Sequence, residues 1–392
     1  MSKSKKHTIE ITPQDFSDRE YFPGTDEHPF HMINDINDVL VKIPVLLFPV
    51  LLGGLFYLVT SNLTKTLIWS GAMLLDLLIL ALLPRLKISF GPPNLTTVIL
   101  GLLRLPFMFL PIPAAIVFQA IGTALVIYGF MIEPQYPVTQ SYTVPTNIKG
   151  LEGLRIVHLS DLHMAYFSKL EERIIRRVNA LQPDLVLFSG DFFNLSQRFD
   201  PQTAKDIQTF FSRIKSSYGI YASTGSPSVD LEEAFRNLGE DPGFILLDKK
   251  GISLETDDTE INLYGLSCTH RPHDDLVRFQ EMIAADPISA GYNILLYHSP
   301  DLAPAIAETG IHMQLSGHTH GGQVQLPFFG PIYAASLYGL RLAQGHYHIN
   351  QSLDLIVSRG IGLEGDGAPR VRFLSPPEIG LISFDFRENN VE

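Results

Sequence analysis

The stretch LRIVHLSDLH, Leu154–His163, decides the fold. Its first seven residues, LRIVHLS, read as a buried strand. Asp161 and His163 follow at once, two places apart, so an extended chain points both to the same side. Leu170, Ile174, Val178 and Leu181 then recur at helical spacing. DLVLFSG, Asp184–Gly190, is a second strand and runs into Asp191. Asp200-Pro201 is a helix start, with Ile207, Phe210 and Ile214 on one face. GIYAST, ending at Thr224, is a third strand. This alternation predicts an α/β layered domain. Further strand-like runs at Ile261–Leu266, Ile294–Tyr297 and Leu355–Ser358 stand closer together and predict a second sheet.

Polar residues at strand ends carry the functional signal. His298 closes NILLYH, and His318 and His320 follow MQLSG as GHTH. Carboxylates with imidazoles are the donor mix of Zn, Mn or Fe sites rather than of Ca or Mg alone. The flanking glycines let a backbone turn sharply and approach an ion. A lone Asp-x-His arises often by chance, and each polar residue singly reads as a satisfied core group. The ordered series Asp-x-His, Gly-Asp, His and Gly-His-x-His, each after an apolar run, does not. His158 falls out of phase with these residues and reads as packing.

Composition bounds the rest. The 392 residues suffice for two domains, and the net charge of −12 argues against a nucleic-acid partner. Cys268 is the one cysteine, so neither an internal disulfide nor a thiolate metal site is possible. Hydrophobic residues reach 45%, which points to membrane segments. Residues 1–41 are polar, with four basic residues against eight acids, and read as a loosely ordered tail. Residues 42–133 read as a transmembrane helical region. Ile43–Val59 and Leu105–Ile132 carry no charge, and Leu67–Leu83 carries only Asp76. Thr97–Leu103, cut off by Arg104 and followed by Pro106, Pro111 and Pro113, adds a short or re-entrant helix. The expected count is three or four spans, which place the following domain on opposite sides. Asp76 has Arg104 as a partner for an ion pair that locks two helices.

SDLH, SGD, YHSPD and SGHTHGGQ resemble the sequence blocks of the calcineurin-like metallophosphoesterases. VSRGIG with RFLSPPEI resembles the end of their membrane-associated bacterial branch. The resemblance covers residues 141–387 and implies a four-layered α/β (α+β) sandwich of two mixed sheets flanked by helices, here preceded by the all-α transmembrane region. It implies two divalent ions (Mn, Fe or Zn). Asp161, His163, Asp191 and His320 would hold the first, Asp191 would bridge, and His298 and His318 would hold the second. It also implies a Gly-Asn-His block whose Asn ligates the second metal and whose His assists the leaving group. Gly225-Ser226-Pro227 stands there instead. Ser226 keeps a hydroxyl, Pro227 can neither ligate nor move a proton, and Ser228 can reach the phosphate. The catalytic set therefore reads Asp191, Ser226 and Ser228, with a weak second metal. Asp230 with Glu233 reads as a helix capping box.

The implied function is a metal-dependent phosphohydrolase that cleaves phosphodiester or phosphoanhydride bonds with an activated water. It would be a multi-pass protein of a bacterial inner membrane, with the lipid bilayer and a phosphorylated, lipid-linked substrate as partners. The alternative is a catalytically impaired pseudoenzyme with a structural metal and a binding or scaffolding role. Leu326–Gly345 adds an apolar segment that either packs on the domain core or forms, through Phe328, Phe329, Leu337 and Leu340, a lip beside the metals. Arg341 is expected to meet a headgroup phosphate.

Overall fold

Period-two alternation sorts the strands into two sheets. The computed structural model describes residues 2–3, 6–19, 21–23, 31–257, 259–363 and 369–387. One sheet runs in the spatial order Ser2–Lys3, Val138–Thr146, Glu378–Phe386, Ile156–Leu159, Leu185–Phe188, Ile220–Ala222, Ile245–Leu246. The other runs Lys6–Ile9, Gly345–Ile349, Leu353–Val357, Met313–Ser316, Tyr292–Leu296, Glu260–Gly265, Lys250–Glu255. Both mix parallel and antiparallel neighbours.

Ile156, Leu185 and Leu187 of the first sheet meet Leu263, Ile294, Leu296 and Leu315 of the second in an apolar layer. The alternate residues Val157, Leu159, Val186 and Phe188 face outward, against the helices Lys169–Ala180 and Pro201–Ser212. Leu295 and Leu355 likewise pack with Phe279 and Met282 of the helix Pro272–Ala285 and with Ile306. Four layers result. Each fully buried Leu, Ile or Phe in them contributes about 1.5–3 kcal/mol. The helix start at Asp200 is as expected: its carboxylate accepts the N–H of Gln202 and Pro201 opens the helix.

The N-terminal stretch departs from the expected loose tail. Lys6–Ile9 extends the second sheet in parallel with Gly345–Ile349, and Ser2–Lys3 extends the first. Ile11, Phe16 and Phe22 are buried in the outer core of the second sheet, Phe16 edge-on to Tyr338 at 5.6 Å. Asn350 accepts from the Ile11 N–H and donates to its carbonyl. These partners lie more than a hundred residues away, so no local periodicity announces them. Residues 24–30 lie outside the described residues.

Residues 1–28, 136–363 and 374–392 form one compact unit, and residues 29–135 with 364–373 form another. The second unit is helical, with Leu47–Thr60, Leu63–Leu80, Pro93–Arg104 and Ile112–Ile127. The expected run Leu105–Ile132 is not one helix. Leu105–Phe109 is a tight turn, and Pro106, Pro111 and Pro113 remove the donors that would continue the preceding helix. Two helical stretches, Leu63–Leu86 and Ile112–Gln135, have 24 residues each. At 1.5 Å per residue, each is long enough to cross the ~30 Å of a bilayer core. Leu47–Thr60 and Pro93–Phe109 are shorter.

Asp76 and Arg104 do pair, at 2.5 Å, and both are buried. Arg104 also donates to Gln119 O and Thr123 Oγ1, and Thr123 donates to Asp76 Oδ1. Three helices thus meet on one polar cluster. Removing one partner of such a pair strands a buried charge, at a cost of about 3–5 kcal/mol.

Candidate metal centre

Three neighbouring strands in each sheet run parallel: Ile156–Leu159, Leu185–Phe188 and Ile220–Ala222 in one, Glu260–Gly265, Tyr292–Leu296 and Met313–Ser316 in the other. Parallel strands bring their carboxyl ends to one edge, where ligands bind in open α/β sheets. Every one of these six ends carries a polar residue that reaches the same place.

Asp161, His163 and His320 form one group of close donors, Asp161, Asp191 and His298 a second, and His270, His298 and His318 a third. All are buried. Asp191 Oδ2 lies 3.1 Å from His298 Nε2 and 3.7 Å from His163 Nε2. His163 Nε2 and His320 Nε2 face each other at 3.1 Å, and His320 Nε2 is 3.5 Å from Asp161 Oδ1. All six expected ligands, Asp161, His163, Asp191, His298, His318 and His320, are therefore together.

The backbone is built for this convergence. Asp161, His163, Asp191, His270, His318 and His320 all have φ between 43° and 68°. The left-handed region is costly for residues with a side chain, and such strain gathers at functional sites. Two glycines let the loops close on the carboxylates. A Cβ at Gly225 would collide with Asp191, and one at Gly317 with Ser160 and Asp161.

Hydrogen bonds fix how the imidazoles face. His298 Nδ1 lies 2.7 Å from Ser189 O and His163 Nδ1 3.2 Å from Phe193 O. A carbonyl only accepts, so each Nδ1 carries a proton and each Nε2 is left facing the centre. Burial pushes the Asp191 carboxyl up, but His298, His163 and the Ser226 N–H outweigh it and hold the group well below the usual range. Burial raises Asp161. His298 is driven down by burial but lifted to about 9 by Asp191 and Asp161. Burial and neighbouring imidazoles lower His318, and burial with His298 lowers His270 to about 3, so both rings are neutral.

The donor set fits divalent ions. Asp161 Oδ2 and His318 Nε2 are buried with no hydrogen-bond partner. An orphaned buried polar atom costs about 1–3 kcal/mol, a cost that a bound cation removes. Asp, His and neutral imidazole are the donors that Zn, Fe and Mn accept.

The edited loop is also here. Ser226 donates its N–H to Asp191 Oδ1, and its Oγ lies 3.1 Å from Asp191 Oδ2 and 3.4 Å from His298 Nε2. Pro227 is exposed and Ser228 half-buried, and the Ser228 carbonyl accepts from Arg198. The expected capping box at Asp230 is absent. The helix Glu232–Arg236 begins after Leu231, with no side-chain cap. Asp230 instead turns inward and accepts the N–H groups of Asp191 at 2.8 Å, Phe192 at 2.8 Å and Gly225 at 2.7 Å. Three orphan backbone donors outweigh one helix cap. His158 packs inside the sheet, 2.8 Å from Ser189 Oγ.

His270 is the residue that the sequence reading missed. It follows the strand Glu260–Gly265, so the strand-end rule that found the others also applies to it. It lies further past its strand, in SCTH, with no glycine beside it.

The apolar segment after His320 folds as a hairpin, with Gln325–Leu326 paired to Gly330–Pro331. Pro331 and Tyr333 lie directly against Gly322, two residues from His320. Phe328 and Phe329 form the tip, both fully solvent-facing, Phe328 at φ 69°. Two residues depart from the lip reading. Leu337 packs on the core of the second sheet, and Arg341 donates to the carbonyl of Glu10.

A model of the calcineurin-like phosphoesterase family matches residues 154–322. The chain carries a calcineurin-like phosphoesterase domain. It is similar to the metallophosphoesterase YkuE of Bacillus subtilis, at 28% identity over 268 residues, which cover 65% of this chain and 88% of that one. It is also similar to the UDP-2,3-diacylglucosamine pyrophosphatase LpxG of Chlamydia trachomatis, at 28% over 298 residues, covering 62% and 87%. A transmembrane protein with metallophosphoesterase domain from Danio rerio shares 29% over 247 residues, covering 55% and 54%. Metallophosphoesterases are hydrolases of phosphoester bonds, and residues 154–322 match that family.

The Asp230 latch is testable within this domain. Asp230→Ala leaves three backbone donors without their acceptor and should lower stability by about 3 kcal/mol or more. Chemical denaturation of the purified protein measures this. A loss under 1 kcal/mol would show that the Asp191 loop holds itself.

Proposed function

We propose that the chain is a metal-dependent phosphohydrolase, tethered to a bilayer, that cleaves the phosphoanhydride of a lipid-linked substrate. The observation that carries this reading is the convergence of Asp161, His163, Asp191, His298, His318 and His320 at the carboxyl edge of both sheets. Asp161, His163, Asp191 and His320 would hold one ion, and Asp191, His298 and His318 the other. When bound, such ions supply Lewis-acid polarisation of phosphoryl oxygens and a water acidic enough to attack at neutral pH.

The chain's own residues do the rest. Phe193 O and Ser189 O orient two of the imidazoles. Asp230 fixes the backbone on either side of Asp191. Ser226 positions the Asp191 carboxylate with its N–H and hydroxyl. The loop Gly225-Ser226-Pro227-Ser228 offers no imidazole to protonate a leaving oxygen. General acid help is worth roughly 10²–10⁴-fold, and an alkoxide needs it far more than a phosphate does. Substrate choice thereby shifts toward a pyrophosphate, the bond that the similar LpxG proteins are named for. The exposed Phe328 and Phe329, on a hairpin whose base abuts Gly322, suit the acyl chains of such a substrate.

The tether has a defined parity. Residues 6–22 precede the helices and lie in the same unit as residues 136–363. The chain therefore enters and leaves the helical region on one side of the bilayer. Three crossings would pull Lys6–Ile9 away from Gly345–Ile349. Two crossings, by Leu63–Leu86 and Ile112–Gln135, meet both the parity and the length.

The deciding assay compares a diacylated UDP-sugar with an aryl phosphodiester in mixed micelles. The metal-loaded protein should turn over the first substrate at least ~10²-fold faster, and Asp191→Asn should remove most of that activity along with bound metal. No turnover of either substrate by protein carrying its full metal load would sink the reading.

For the hairpin, Phe328→Ser with Phe329→Ser should raise KM for the diacylated substrate about tenfold or more and spare the soluble diester. A buried Phe side chain is worth ~1.5–3 kcal/mol, and both rings are free of the core. Equal change on both substrates would remove the acyl role.

Reporter tags at the two ends of the chain should be accessible from the same face of sealed vesicles. Protection of one tag and exposure of the other would exclude an even number of crossings.

A further inference from the structure

We propose that His270 is a ligand of the second metal and takes the place of the Asn that the 225–227 loop lacks. The inference rests on the two-metal reading above and names a donor from the opposite sheet. His270 is buried at the edge where the other donors meet, and its Nε2 lies 3.0 Å from Ser226 Oγ. Its ring lies 4.1 Å from that of His318 and 6.0 Å from that of His298, centroid to centroid. The donor atoms of His270, His298 and His318 all lie within 4.8 Å of one another.

Donor spacing supports a shared ion. Two atoms each ~2.1 Å from one ion, at tetrahedral or octahedral angles, stand about 3.0–3.4 Å apart. Ser226 Oγ is 3.0 Å from His270 Nε2, 3.1 Å from Asp191 Oδ2 and 3.4 Å from His298 Nε2. Asp191, His298 and His270 thus all stand within 3.4 Å of the Ser226 hydroxyl, and His318, whose Nε2 has no hydrogen-bond partner, shares a donor group with His270 and His298. His270 also adopts φ 62°, the strained backbone shared by five of the six other donors. A packing histidine has no need of that strain. Cys268 Sγ stands 3.5 Å from Nδ1, on the far side of the ring, and leaves Nε2 facing the group.

The test uses full-length protein in detergent, stripped with a chelator and reloaded with Co²⁺. Bound ions per chain are counted by elemental analysis, and the two dissociation constants follow from titration of the visible spectrum. Wild type should hold two ions. His270→Ala should keep the first and bind the second ~100-fold more weakly or worse, since even residues behind a ligand are worth 10–100-fold. Adding Ser226→Asn to His270→Ala should regain most of that loss, because an amide oxygen then replaces the imidazole. A folded His270→Ala protein that binds two ions with unchanged affinity would overturn the proposal and leave the two-metal reading standing. If wild type itself holds a single ion, the two-metal reading fails first, and His270 falls with it. Should His270→Ala not fold, His270→Gln decides: a folded variant with undiminished second-ion affinity overturns the assignment, and a weakened one supports it.

Discussion

The buried carboxylate of Asp191 is the constraint around which the domain is arranged. An uncompensated charge at this depth costs several kcal/mol, so its surroundings have to supply positive or hydrogen-bonding partners from every side. They come from three separate strand ends: the N–H and hydroxyl of Ser226, the ring of His298 and the ring of His163. No two of these are neighbours in sequence. Only parallel strands pairing in both sheets bring their ends to one edge, so the sheet topology and the charge at its edge require each other. Asp230 extends the same logic inward. It is a second buried acid, raised to about 7 by burial and by Asp191, and it holds the backbone of the Asp191 turn.

Much of this was legible in the sequence because strand and site share one signal. An apolar run that ends in Asp or His marks both a buried strand and a residue at its carboxyl end, and six of the donors that meet at the edge are legible that way. The residues that escaped did so for physical reasons. His270 sits on a longer excursion after its strand, and the resemblance directs attention to an Asn on another loop. Asp230 with Glu233 satisfies a local capping pattern, yet three backbone N–H groups from other loops compete more strongly for its carboxylate. Residues 6–22 lack periodicity because their order comes from a sheet edge and an apolar surface at the other end of the chain. The helices were found by composition, but Pro106, Pro111 and Pro113 divided a run that apolar counting had joined.

On the function proposed above, the edited loop would change the balance between the two sheets rather than remove a function outright. In the pattern that the sequence resembles, the loop after Ile220–Ala222 supplies both a neutral oxygen donor and a proton donor. Here it supplies a hydroxyl, and Pro227 points to solvent. Loss of the proton donor would narrow the leaving groups that the site can expel. Loss of the oxygen donor, by contrast, can be offset from across the edge, because His270 already stands 3.0 Å from the hydroxyl that remains.

That offset has a consequence for the ion. With His270, the second group would consist of three imidazoles, from His270, His298 and His318, with Asp191 and the Ser226 hydroxyl beside them. The first group keeps two imidazoles and two carboxylates, from His163, His320, Asp161 and Asp191. Imidazole suits Zn, Fe and Cu, while carboxylate and carbonyl oxygens suit Mg, Ca and Mn. Exchanging an amide oxygen for an imidazole therefore moves the second position toward the nitrogen-preferring metals and away from Mn and Mg. Because ligands from both groups converge on Asp191, a harder ion at one position and a softer one at the other would polarise that shared carboxylate unequally. The asymmetry would follow largely from which sheet each donor comes from: His270, His298 and His318 all rise from the second sheet, whereas Asp161, His163 and Asp191 descend from the first and only His320 of that group comes from the second.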